Sequence, residues 1–485
     1  MGDEKEINLR EYPKTYIITS AQAIQSEEHA KIYGRDSSKG APKINLIKGL
    51  EKKLSEEVGG EMLILSMQGM NNCETELHSY FKDKKVLYSM KEKEHLLNQN
   101  IKISGMVEPP QNMDIPTSRD RFVQKDQSVI MAHSKQRFRC VPTGNKKLPK
   151  IIATTGCCTL PNYNIDRKNA TGNRRADIAL RDHTYGAIIV EVISPTHYNL
   201  RHIPSQSNGK FIDMGVKFNG DKKPQKVGVE ALILGDLHVG ETDEKTMKAN
   251  YEMIDFFKPK RLFVHDLADS YSINPHEKED WVIQAIKSRL NMLNLNKELE
   301  GYYNVLLELS KVMGKRSEIL IVPSNHDNFI YRYIAEGNFL KDPINAEVAS
   351  YLFHEVVKKS KRPEDGADLI VEEGIKKIGK IPSNVYFLKF RDEYKVWGYE
   401  LANHGHLGHS GGKGSTKAQE LMYGKSITGH THSPEILRDT IVVGTSSKLD
   451  LGYTIGGSKW MAANAVLYDG GLVQLLPIIN GKWKK

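Results

Sequence analysis

Five segments in the second half of this chain, most of them apolar runs of strand length, each end in side chains that ligate metal ions. GVEALILGDLHVG leads to Asp236 and His238, RLFVHD to Asp266, EILIVPSNHD to Asn325, His326 and Asp327, ELANHGH to His404, and SITGHTH to His430 and His432. This pattern points to an open α/β sheet, because the carboxyl edge of such a sheet gathers side chains from several strands around one crevice. The intervening sequence agrees. Residues from about Thr242 to Phe257 have helical periodicity, Lys258-Pro259-Lys260 ends that helix, and a long helical stretch from about Trp281 to Met313 precedes the EILIVPS strand. After Asn384 the chain reads as successive strands, with tight turns at Gly429 and at Gly470-Gly471.

The ligand types select the chemistry. Carboxylates, imidazoles and one amide oxygen suit Mn, Fe, Zn or Co, and the lack of thiolates argues against a structural zinc cage. A carboxylate bridging two ions activates water for in-line attack on phosphorus, and Asp266 is the candidate bridge.

In order and position, DLH, HDLAD, SNHD, HGH and GHTH resemble the five signature motifs of the calcineurin-like metallophosphoesterase superfamily, over roughly residues 229 to 480. The resemblance implies a four-layer αββα sandwich holding two divalent metal ions, manganese foremost, with Fe, Zn, Co or Mg as the others. It implies that Asp236, His238, Asp266 and His432 hold one ion, and Asp266, Asn325, His404 and His430 the other. His326 would stand beside the scissile phosphate to protonate the leaving oxygen or stabilise charge, with Asp327 orienting its imidazole. Two positions depart from the family pattern, which usually has glycine where this chain has His265 and Ser324. His265 is thereby a candidate substrate contact, and Asp269 a candidate support behind the ligands. After the bridging Asp, Ser272, Asn274 and His276 are further candidate contacts, against the alternative of a solvated loop. The glycine-rich run HSGGKGSTK offers Lys413 and Lys417 beside the site, but Gly414 follows Lys413 where a phosphate-binding P-loop needs Ser or Thr.

A chain of 485 residues exceeds one ordinary core, and the polar run NGDKKPQK marks a hinge. The expected division is a separate N-terminal mixed α/β domain, residues 1–226, and a catalytic domain, residues 227–485. In the first half TYIITS, EMLILSM, KIIATTG and YGAIIVEVIS read as strands and INLIKGLEKKLSEEV as a helix. Residues 82–126 are polar and broken by prolines, and the segment from Cys157 to Gly186 reads as a loop rich in Asn, Gly and Arg. No internal repeat is evident. The four cysteines show no metal-site spacing and read as buried small hydrophobes in a reduced cytosol. No run approaches the ~20 apolar residues of a membrane span, so a cytoplasmic protein without membrane contact is expected.

The net charge of +9 suits a polyanionic partner. The runs YIITSAQ, IIATTGCCTLPNY and HTYGAIIVEV, joined to the phosphoesterase motifs, resemble the pre-early DNA-degrading nucleases of T-five-type phages. That resemblance implies a manganese-dependent DNase acting on host DNA as a homo-oligomer, in the host cytoplasm. Two other readings stand beside it: a small-substrate phosphodiesterase or phosphoprotein phosphatase, and a non-catalytic DNA-binding takeover scaffold.

Overall fold

A computed structural model of the chain describes residues 12–57, 59–67, 76–87, 94–105, 123, 127–144, 150–163, 170–451 and 456–485. Cys73 and most of the proline-broken stretch lie outside these residues. The described chain is mixed α/β, with ten α-helices and four sheets.

In the C-terminal half, Val229–Ile233, Arg261–His265, Glu318–Val322 and Val385–Phe387 run parallel, and the hairpin Ala462–Tyr468 and Val473–Ile478 closes the sheet antiparallel on the other side of Val229–Ile233. Alternation along each strand sorts its side chains between two cores. Leu232, Leu262 and Ile319 pack against helix residues Leu299, Tyr302 and Leu306, whereas Ala231, Ile233, Phe263 and Leu320 face a second sheet. Asp243 caps the helix Glu244–Phe257 by accepting from Thr246 N. The expected long helix is two, Trp281–Arg289 and Leu295–Met313, because Asn291 turns left-handed and Asn294 caps the second by accepting from Lys297 N.

The second sheet has ten strands and crosses the expected domain boundary. Glu435–Leu437 from the C-terminal half pairs antiparallel with Gln136–Val141 from the N-terminal half, Ile436 opposite Phe138. A cut at residue 226 therefore divides one hydrogen-bonded sheet. The halves also meet along their other sheets, where Gln474 Nε2 donates to the carbonyl of His202 at 3.3 Å and to Asp213 Oδ1 at 3.1 Å. Asp213 takes a bidentate pair from the buried Arg201, at 2.7 and 3.0 Å, so the polar groups at this junction are matched.

The halves repeat one another in topology. The hairpin Gly186–Val192 and Tyr198–Pro204 lies beside Lys14–Gln22, followed in parallel by Glu61–Met67 and Val86–Leu87. The hairpin Ala462–Tyr468 and Val473–Ile478 lies beside Val229–Ile233 in the same way, followed by Arg261–His265 and Glu318–Val322. Within the ten-stranded sheet, Glu94–Asn98, Ile101–Ser104, Ser128–Met131, Lys150–Thr155 and Gln136–Val141 have the order and senses of Lys395–Val396, Tyr399–Glu400, Ser426–Thr428, Thr440–Val442 and Glu435–Leu437. The repeat thus resides in strand order and not in sequence. Two smaller expectations also change. The segment after Cys157 contains the helix Ala170–Arg181, and the run after Asn384 contains the helix Thr416–Tyr423. Cys140, Cys157 and Cys158 are buried, and burial pushes their thiol pKa values up.

Candidate metal centre

Three of the four parallel strands, Val229–Ile233, Arg261–His265 and Glu318–Val322, and the second sheet deliver the side chains that follow them to one place. Asp236 is fixed through its backbone: its N–H donates to the Gly444 carbonyl, and its carbonyl accepts from Ser446 N and Thr445 Oγ1. Gly235 N, one residue earlier, donates to the buried Asn464 side chain at 2.8 Å. The loops then turn sharply, with His238, Asp266, His430 and His432 at φ of 45°, 46°, 75° and 53°. Left-handed backbone at non-glycine residues costs about 1–3 kcal/mol where strained, and it clusters where side-chain direction matters more than backbone comfort.

Asp236, His238, Asp266 and His432 form a buried group with ligand atoms within 4.8 Å of one another. His432 Nε2 lies 3.1 Å from Asp236 Oδ2, and His238 Nε2 lies 3.3 Å from Asp266 Oδ2. The Nε2 atoms of His238 and His432 face each other at 2.9 Å, a separation that needs a proton or a cation between them. Behind His238, Asp269 Oδ1 stands 3.0 Å from Nδ1, the carboxylate–imidazole pairing that turns the other nitrogen toward an ion. On the other side of Asp266, His404 Nε2 is 3.4 Å from Oδ2, and His430 Nδ1 is 3.1 Å from Asn325 Oδ1. The His404 and His430 rings stand 5.3 Å apart. The first expected set is thus brought together around Asp266, with His404 beside Asp266 and His430 beside Asn325 and His404.

Electrostatics fit a cation. Burial works against ionising Asp236, yet His404 and His432 hold its pKa at about 2, and His326, His238 and His404 likewise hold Asp266 well below the carboxylate range. Burial also opposes a charge on His238, but Asp266 and Asp269 raise it to about 9. The Oδ1 atoms of Asp236 and Asp266 and Nε2 of His404 are buried without a hydrogen-bond partner. Buried ionised oxygens without a donor are costly, and coordination would satisfy them.

His326 adjoins this cluster, its ring 4.7 Å from that of His238. Its Nδ1 lies 2.7 Å from the Asp269 carbonyl, which only accepts, so Nδ1 carries the proton and Nε2 is left for chemistry. The expected role of Asp327 changes accordingly: its carboxylate accepts from Ser324 N at 2.9 Å and stabilises the turn, and the Asp269 carbonyl orients the imidazole. Burial, then Asp266, raise Asp327 to about 7. His265 is fully buried, with Nδ1 3.4 Å from His404 Nδ1, and burial and His404 lower it to about 3; it offers a substrate no surface and instead forms a second group of potential ligand atoms with Asp236 and His404. Exposed His276 packs edge-on against Phe329, which in turn packs on His326. Ser272 is engaged by Glu298, and Asn274 Oδ1 accepts from His276 N. Lys413 and Lys417 are exposed, but the glycine-rich loop closes on itself, Gly408 N donating to Gly412 O and Gly414 N to His406 O.

Two residues near the ligands escaped the sequence reading. His406 lies within the HGH run, its ring 5.6 Å from His404 and 6.0 Å from His430. Trp460, a lone aromatic with no motif around it, packs edge-on at 4.1 Å from His432.

The repeated topology places a second crevice in the N-terminal half. Ser20 bridges to Cys157 as Asp236 bridges to Thr445. Strand register then sets Gln22 at the place of His238 and the run Ala132-His133-Ser134-Lys135 at that of Gly429-His430-Thr431-His432. A hydroxyl replaces the carboxylate, and a fully buried ammonium, Lys135, stands 3.3 Å from Asp182 where the other crevice has an imidazole. Among the described residues the candidate metal groups all lie in the C-terminal half.

No family model matches this chain. No solved structure matches it. The chain is 29% identical over 367 residues to Protein A1 of Escherichia phage T5, an alignment that covers 74% of this chain and 64% of that protein, so the chain spans less than two-thirds of its relative's length. No helix among the described residues is long and apolar enough to cross a membrane.

Proposed function

We propose that this chain is a calcineurin-like metallophosphoesterase of phage origin that hydrolyses DNA phosphodiester bonds with two divalent ions, manganese foremost. The observation that supports it most is the pair of ionised, fully buried carboxylates Asp236 and Asp266, each with a partnerless oxygen, amid His238, His404, His430 and His432. Asp236, His238, Asp266 and His432 would hold one ion, and Asp266, Asn325, His404 and His430 the other. Such ions supply Lewis acidity toward a phosphodiester oxygen and lower the pKa of water. His326, its Nδ1–H donated to the Asp269 carbonyl, would act as the imidazolium, giving its Nε2 proton to the departing oxygen and being left neutral with the Nδ1–H bond intact. The two sheets and the helices outside them are read as the superfamily's sandwich, used once for catalysis and once, in residues 1–226, to help grip a polyanion or a second subunit. Kinship to a phage protein and the charge of +9 favour DNA over a small diester.

The test is incubation of purified protein with supercoiled plasmid and end-labelled linear duplex, each with Mn, Mg or EDTA, beside His326→Ala. Cleavage that needs metal and falls about 100-fold or more in the variant is expected. Cleavage that survives both EDTA and the substitution would sink the assignment, and turnover of a nitrophenyl diester with intact DNA would move it to a small substrate.

A further inference from the structure

A groove of about 750 Å³ opens beside the candidate ligands, and both halves of the chain wall it. Thr431, between His430 and His432, is one of its lining residues. Thr416, Lys459 and Trp460 line it from the C-terminal half, Arg139 and Pro142 from the N-terminal half. We infer that this groove takes the nucleotide next to the scissile phosphate, with its base against the Trp460 ring and the neighbouring backbone phosphate toward Arg139 and Lys459. This rests on the nuclease reading and deepens it.

The argument begins with how Trp460 is held. Thr143, just past the strand Gln136–Val141, exchanges two backbone hydrogen bonds with Ser458, at 2.9 and 2.8 Å. Trp460 N donates to Ser458 Oγ at 3.1 Å, and Met461 N donates to the His432 carbonyl at 3.0 Å. Cys140, on the same N-terminal strand, packs against Met461, with 3.9 Å between their sulfurs. The backbone on either side of Trp460 is thus tied to the N-terminal half, its ring packs on the candidate ligand His432, and the residue remains partly exposed beside the groove. A rigid, partly exposed aromatic is a stacking platform for a base. Charge agrees. Among the described residues lining the groove, Arg139 and Lys459 outnumber the single carboxylate, Glu435, which accepts from Thr416 Oγ1. A site for a lone phosphate would need no aromatic wall this close to the ligands, whereas a polynucleotide brings a base within a few ångströms of each phosphate it presents. The inference also gives the N-terminal half a direct task, since Arg139 and the seat of Trp460 both come from it.

The experiment compares W460A, W460F and R139A in the full chain, reading kcat/KM on a short single-stranded oligonucleotide and on bis(p-nitrophenyl) phosphate with Mn. The quantity that decides is the ratio of the two. Loss of one base stack should lower that ratio about tenfold to a hundredfold in W460A, chiefly through KM, with W460F recovering most of it. R139A should lower the ratio and reduce the salt dependence of oligonucleotide binding by about one phosphate's worth. An unchanged ratio in W460A, or an equal fall on both substrates, would overturn the inference, because the ring would then only brace His432. Wild-type protein that turns over the small diester but leaves the oligonucleotide intact would instead overturn the nuclease reading on which the groove depends.

Discussion

Adding one methyl group at Gly429 probes the metal centre without removing a ligand. A Cβ built there would sit 2.1 Å from Asp236 Oδ1, 3.1 Å from Asp236 Cγ and 3.2 Å from His265 Cβ. Gly429 is not in left-handed backbone, so the consequence of Gly429→Ala is steric. Real Cβ contacts essentially never fall under 3.0 Å, so the oxygen must retreat by 3.0 − 2.1 = 0.9 Å. Asp236 is fully buried, with its other oxygen accepting from His430 N at 2.7 Å, so it has little room to rotate away. Ligand distances at a metal site tolerate about 0.2 Å, and a shift several times larger should cost on the order of 100-fold in affinity. Overpacking should also cost the metal-free protein about 1–3 kcal/mol. The assay is equilibrium Mn binding by calorimetry, together with Tm in EDTA and in Mn. Wild-type Tm should rise on adding Mn, and the variant should rise far less while remaining folded by circular dichroism. Gly228→Ala, where a Cβ meets open space, serves as the control and should match wild type. Wild-type affinity and stoichiometry in Gly429→Ala would refute Asp236 as a ligand.

Two further outcomes follow from buried polar groups. Asn464→Ala leaves Gly235 N and Asn250 Oδ1 without their partners, so urea unfolding should show a loss of about 3 kcal/mol; a change under about 1 kcal/mol would mean that water replaces the amide. His202 is buried, and burial lowers its pKa from 6.5 to about 4 despite its hydrogen bond with the Thr154 carbonyl. Between those values the unfolded chain binds the extra proton, so this contribution is intact above pH 6.5 and fades as pH falls toward 4, by up to about 3 kcal/mol. Unfolding free energies at pH 7.5 and 4.5 should therefore differ by less in His202→Gln than in wild type, and equal differences would rule the residue out as a cause.

The metal centre was legible because its information is local. Asp236 and Asp266 each follow an apolar run that pairs into one parallel sheet, so their meeting follows from strand order, whereas His404 arrives from the second sheet and meets them only because the two sheets pack face to face. What the sequence concealed depends on groups that carry no side-chain signature. His326 is oriented by a backbone carbonyl, that of Asp269, and any residue at 269 would have supplied one. The repeat was hidden because strand order survives substitution of nearly every side chain: Ser20 stands where Asp236 does and Gln22 where His238 does, so no motif is shared. The helix Ala170–Arg181 contains Gly172 and Asn173 and follows a polar loop, a composition that favours turns until tertiary packing decides otherwise. The sheet that spans residue 226 was hidden for a related reason, since a polar hinge marks where the chain crosses but not where a sheet ends.

The seam between the halves also dictates which edges can join. Across it Arg139 lies opposite Glu435, Phe138 opposite Ile436, and Arg137 opposite Leu437. Were two N-terminal halves to meet through the same antiparallel register, Arg137 of each would fall opposite Arg139 of the other, and like charges directly across a ladder destabilise it. The edge of one half thus rejects its own twin and accepts its diverged sibling.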